Sequence, residues 1–179
     1  MLRGWTDESI AILGLEEYAA IQAAAFMDAF RSSDGIVARL EKSVMGFVEK
    51  ADGYQRIQNV AGIGRILALT IYLESGDFGR FKSAGNYASY CRGVESKRTS
   101  NSKRKGANNR KNGNKYLSWA YAEAAVYAVR FYPAIQSWYD RKLRRTNAPI
   151  ARKALACKLS KAVWHVMNGS DYDERMLFG

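Results

Sequence analysis

Residues 57–77 read IQNVAGIGRILALTIYLESGD, and the fold turns on this stretch. From Ile66 to Leu73, apolar side chains fall on nearly every side of a helix, interrupted only by Thr70. That pattern predicts a helix buried within a folded unit. Glu74-Ser75-Gly76-Asp77 should stop it, with Gly76 taking the left-handed conformation that closes a helix. Ahead of it stands Gly62-Ile63-Gly64, with the small residue Ala68 four positions further on. Two glycines around one apolar residue allow a tight turn between helices and leave backbone N–H groups bare at a helix start. Such a site suits a phosphate. A turn that merely joins two helices reads equally well from the same triplet.

Working outward, the other segments are also helical. Thr6 and Asp7 are plausible N-caps for a helix over Ile10 to Arg31, and Ser32-Ser33-Asp34-Gly35 reads as a break. Ile36, Leu40, Val44 and Phe47 then share one face, so residues 1–53 read as a helical, coiled-coil-like arm or linker folded as a hairpin. Residues 54–179 read as a compact helical domain. Ser83 to Cys91 and Tyr116 to Tyr132 are helical, and Pro133 and Pro149 each fit the first turn of a following helix. Leu155, Leu159, Val163 and Val166 line one face of the last long helix, which Gly169 ends. No stretch alternates with period two for long enough to make a strand, so the expected class is all-α.

Charge is concentrated in one place. The chain of 179 residues carries a net charge of +11, and residues 97–115, KRTSNSKRKGANNRKNGNK, hold eight cations and no acid. They are Lys97, Arg98, Lys103, Arg104, Lys105, Arg110, Lys111 and Lys115. With five asparagines, two glycines and no large apolar residue, the segment cannot pack as a core element. It is expected to be a long basic loop, either merely solvated or in contact with nucleic acid, the natural partner of such a block. Its serines and asparagines suit phosphate hydrogen bonds. With 47% hydrophobic and 25% charged residues, global disorder is excluded. No apolar run reaches the roughly 20 residues of a membrane span, and Asp7, Glu8, Glu16 and Glu17 exclude a signal peptide. Cys91 and Cys157 make no disulfide framework, so a reducing, cytoplasmic setting is expected. His165 is the one histidine, which argues against the common His-rich chemistries.

Six motifs in order carry a resemblance. They are Gly62-Ile63-Gly64, ESGDFGRF (74–81), YASYCR (87–92), SNSKRKG (100–106), KNGNKYL (111–117) and EAA (123–125). Over roughly 54–169 the chain resembles the C-terminal serine domain of insertion-sequence transposases that pair a DEDD nuclease-like domain with a serine domain, the "one-ten / eleven-eleven" family. YASYCR and KNGNKYL are similar to its second branch. The GIG turn itself is similar to helix-hairpin-helix modules, which grip DNA backbone without reading sequence. The family implies prokaryotic, nucleoid-associated DNA recombination directed by a bridging guide RNA. It implies self-association through the arm, and an N-terminal RNase-H-like domain whose four acids hold Mg2+, for which this chain shows no equivalent.

The resemblance maps the nucleophile to Ser100, which would attack a DNA phosphodiester and hold the strand as a phosphoserine ester. Ser102 stands where the family commonly has glycine, which leaves Ser102 open as an alternative; Ala61 stands where it usually has proline. No metal ligands are assigned: Asp171, Asp173 and Glu174 read as a solvated tail, Asp77 as a cap or turn residue, and His165 as packing or solvent-facing. Tyr116, Trp119 and Tyr121 could stack on bases, but their helical spacing is also that of core residues. Two functions therefore stand at this point: the serine-nucleophile portion of a transposase, or a non-catalytic DNA- or RNA-binding module built on the GIG turn and the basic segment.

Overall fold

The computed structural model of the protein describes residues 4–94, 97–100, 103–107 and 112–179, those of 97–107 by backbone alone. The chain divides into two compact units at Val48/Glu49. In the first, α1 (Asp7–Ala11) opens with a reciprocal capping box between Thr6 and Ser9. A bend with Gly14 at φ +61° follows. Next comes α2 (Glu17–Val48), a single helix of 32 residues. It runs without interruption through Ser32-Ser33-Asp34-Gly35, which corrects the expected hairpin. Without a proline, these residues cost a helix only about 1 kcal/mol at the glycine and less elsewhere. Arg31 reaches back to Asp7 at 2.9 Å and to the Trp5 carbonyl at 3.3 Å.

The second unit is a helical bundle. Its elements are α3 (Asp52–Gln58), α4 (Arg65–Ser75), a 3-10 turn (Phe78–Arg80), α5 (Ala84–Tyr90), α6 (Lys115–Phe131), α7 (Pro133–Leu143), α8 (Ala148–Met167) and α9 (Glu174–Phe178). At its centre α8 packs on α3, α5, α6 and α7. Leu155, Leu159, Val163 and Val166 are buried as their spacing requires. Along α6 the fully buried residues Ala120, Ala124 and Ala128 recur every fourth position, a narrow ridge that lets neighbouring backbones come close. The stripe of α4 that is buried is Leu67, Ala68, Ile71 and Ser75. Ile66 and Leu73 are about half exposed, so this helix is covered on one face rather than all round.

Among the described residues, strands form in one place. β1 (Lys97–Ser100) and β2 (Lys103–Ala107) pair antiparallel, with Lys97 opposite Ala107 and Ser100 opposite Lys103. A strand was not expected here, because KRTS and KRKGA contain no apolar alternation. The sequence of the ribbon therefore supplies no hydrophobic face. Among the described residues no helix is long and apolar enough to cross a membrane.

A chain of hydroxyls crosses the core. Ser75 Oγ and Tyr87 Oη lie 2.8 Å apart, as do Tyr87 Oη and Tyr121 Oη, linking α4, α5 and α6. All three residues are at most 2% exposed. Burial holds both tyrosines well above the ordinary phenol range and pushes the Cys91 thiol up to about 12. Because the folded values are raised, the stability these groups contribute is complete at neutral pH and lost as alkali ionises them in the unfolded chain. Urea unfolding should give constant stability up to about pH 9 and a decline above it, approaching about 1.4 kcal/mol per pH unit for each group. Tyr121→Phe should cost about 1 kcal/mol, and Tyr87→Phe about 2–3 because it strands two hydroxyls. Equal losses for the two variants would mean that the chain of hydroxyls is not coupled.

Candidate nucleic-acid interface

The two glycines of the Gly62-Ile63-Gly64 turn do different work. Gly62 has φ +79°, and a Cβ placed there would lie 2.2 Å from the Ala124 carbonyl oxygen and 2.8 Å from the Ala128 nitrogen. Its lack of a side chain is required by the ridge of α6. Gly64, by contrast, has φ −87° and open space around the position of a Cβ. It is the N-cap of α4, and no side chain caps that helix. An uncapped helix start presents several N–H groups without intrahelical partners and the positive end of the helix dipole. Nothing inside the protein demands glycine at 64, and its absent side chain keeps the approach to those N–H groups clear. Beside it, Ile66, Trp119, Tyr127 and Phe131 leave an apolar, largely aromatic surface 46–62% exposed, with Tyr127 and Phe131 nearly parallel at 6.4 Å between ring centroids.

The feet of the basic ribbon are clamped to the bundle. At the end of α5, Arg92 N donates to the Ser89 carbonyl at 3.0 Å and Gly93 N to the Ala88 carbonyl at 2.8 Å, the two bonds of a Schellman motif. Its left-handed position is usually glycine, yet here it is Arg92, at φ 58°. That choice costs about 1–2 kcal/mol of backbone energy. It is offset by the side chain, whose Nε and Nη2 donate to the Gly113 carbonyl at 3.2 and 3.0 Å. Asn114 N donates to the Tyr90 carbonyl at 2.7 Å. Its side chain accepts from Tyr116 N and Leu117 N to cap α6, and donates to Glu74 at 2.6 Å. Hydrogen bonds from Asn114 and then Arg80 hold the Tyr90 hydroxyl below the ordinary phenol range. Arg80 also lies over the Tyr90 ring at 4.8 Å.

The residues singled out by sequence thus distribute as follows. The backbones of Lys97, Arg98, Lys103, Arg104 and Lys105 lie on the ribbon, and Ser100 ends β1 opposite Lys103. Ser102, Arg110 and Lys111 lie outside the described residues. Lys115 opens α6 with its ammonium 4.8 Å from the Tyr116 ring centroid. Of the three aromatics, Tyr116 and Trp119 are half exposed while Tyr121 is buried in the hydroxyl chain. Asp77 caps the 3-10 turn, Asp173 caps α9, and His165 is exposed beside Trp164. Among the described residues no group of three or more His, Cys, Asp or Glu is placed to hold a metal ion. Sequence reasoning passed over Arg92 and Asn114. The available signal was an arginine, not a glycine, immediately after the last turn of a helix.

Substitution separates the two glycines. Gly62→Ala should destabilise the protein by about 3 kcal/mol or more, from left-handed strain plus overpacking against backbone. Gly64→Asp supplies a missing cap, so melting temperature should hold or rise slightly. The same carboxylate should weaken nucleic-acid binding, as read by fluorescence anisotropy. Unchanged affinity in Gly64→Asp would remove the α4 N-terminus from the interface.

No curated protein matches the chain significantly. Residues 54–140, from α3 across the ribbon into α7, match the family model described as Transposase IS116/IS110/IS902 family.

Proposed function

We propose that this chain is the DNA-binding, serine-nucleophile portion of an insertion-sequence transposase of that family. The observation that carries the reading is the family match over residues 54–140, a span that includes the GIG turn, the ribbon and both of its clamped feet. The cations of the ribbon neutralise phosphates, and the uncapped start of α4 adds a second backbone contact. Ser100 then attacks phosphorus. A bond forms from Oγ to phosphorus as a bond from phosphorus to a sugar oxygen breaks, and the departing oxygen keeps the electron pair. Reversal with a different sugar hydroxyl rejoins the strand. Lys103, Arg104 and Lys105 are the cations that stabilise charge building on the phosphoryl oxygens.

A serine hydroxyl also needs a base to take its proton. The described residues do not fit a Mg2+ site, so no step here runs through a metal. In this reading the acids that hold Mg2+ belong to the family's nuclease-like domain, and a guide RNA selects the target. A covalent adduct should be trapped on nicked or duplex DNA when that domain is supplied in trans, and Ser100→Ala should abolish it while keeping affinity. Binding without an adduct in either protein would favour the second reading, a non-catalytic nucleic-acid-binding module. The clear approach to Gly64 is compatible with that function as well.

The arm is read as the self-association element. On α2, Phe26, Leu40 and Phe47 stand at one heptad position with Ile36 beside them, and they are 74%, 59%, 85% and 45% exposed. That stripe suits the seam of a coiled coil with a second copy. Sedimentation equilibrium should show a dimer or larger that Leu40→Glu dissociates. A monomer at all concentrations would end this part of the reading.

A further inference from the structure

A cleft of about 610 Å³ opens between the feet of the ribbon, with Val94 on the outgoing strand side and Asn112 on the returning side. Its wall is the first turns of α8, which contribute Arg152 and Lys153, and Arg92 adds a third cation from the end of α5. Ser89, Ser118 and Ser160 also line it, and among the described residues no acid does. Such a combination of point charges, a guanidinium fork and neutral hydroxyls is the chemistry that receives a phosphate.

The fold builds this convergence deliberately. A Cβ on Gly93 would lie 3.2 Å from Cys157 Cβ and 3.3 Å from its Cα, so glycine lets the end of α5 lie close to α8 without crowding. That contact sets Arg92 beside the α8 cations. Arg152 and Lys153 are exposed, and neither pairs with an acid among the described residues. The cleft floor stays neutral at physiological pH, because burial keeps the Cys91 thiol protonated.

We propose that the cleft lined by Arg92, Arg152 and Lys153 is a phosphate site for the DNA strand that runs along the ribbon. It receives a backbone phosphodiester where that strand passes from the ribbon onto the bundle. The inference rests on the DNA-binding reading above and extends it to residues outside the 97–115 block. Val94 and Asn112, which line the cleft, flank the ribbon in sequence.

The experiment uses the full chain with a duplex DNA and a single-stranded RNA of matched length, titrated by fluorescence anisotropy across a salt series. Both cleft side chains are exposed, so Arg152→Gln/Lys153→Gln leaves the core intact. This pair should weaken duplex binding about tenfold or more. It should also lower the slope of log K against log salt by about 1–2. Arg39→Gln/Lys42→Gln, exposed on α2, removes the same charge and should leave the slope unchanged. If both pairs lower the slope equally, the effect is net charge and the cleft proposal is overturned. A loss confined to the RNA would overturn the assignment to DNA. A chain with residues 97–107 replaced by glycine and serine separates the two levels of inference. If it loses binding while the cleft pair keeps the wild-type slope, the DNA-binding reading stands and the cleft proposal fails. If the unaltered chain binds neither nucleic acid, the underlying reading fails.

Discussion

The approach of Gly62 to the backbone of α6 is the constraint from which the rest of the second unit follows. A turn whose missing Cβ would stand 2.2 Å from a carbonyl oxygen cannot be moved outward by a side chain, and cannot slip along its neighbour without meeting the next alanine. Ala124 and Ala128 are fully buried because the turn sits on them. With the turn fixed there, α4 leaves at a set angle and delivers Ser75 to the hydroxyl chain with Tyr87 and Tyr121. That polar thread ties α5, which packs on α8, to α6 through the Tyr87–Tyr121 hydrogen bond. The position of α5 in turn decides where the ribbon starts. Contact between two backbones, made possible by small residues on both sides, therefore precedes every feature offered to a ligand.

Much of this was legible in the residues. The stripe Leu155, Leu159, Val163, Val166, the proline-initiated helices and the capping roles of Thr6 and Asp77 follow from spacing and local chemistry alone. Three elements did not. Ile10 to Arg31 reads as one helix, but the chain turns at Gly14 between α1 and α2. Ser32-Ser33-Asp34-Gly35 carries the chemistry of a turn, but the helix on either side outweighs a modest local penalty, and α2 runs through it. The ribbon lacks the apolar alternation by which strands are recognised, as KRTS and KRKGA show. Helical periodicity also could not sort Tyr116, Trp119 and Tyr121. Which of them is covered depends on where α5 lies, and that is a tertiary fact.

At the candidate interface, residue types were legible and their division of labour was not. Gly62 and Gly64 are the same letter two positions apart, yet one answers to the interior and the other to the outside. The charge block announces itself in any reading of the chain, whereas Arg92, Arg152 and Lys153 are scattered over sixty positions and meet only in the fold. Nucleic-acid contacts of this dispersed kind are invisible to composition, since each cation by itself is an ordinary surface residue.

Tying the ribbon at Arg92–Gly113 and Tyr90–Asn114 has a consequence for how such a protein can change over time. Three hydrogen bonds close the bundle at this point, ahead of the excursion. Lengthening the excursion adds only loop entropy, about 0.6 kcal/mol for each doubling. Reach and charge beyond the knot can therefore drift between relatives while the body beneath keeps its geometry, much as a fixed handle accepts blades of different length.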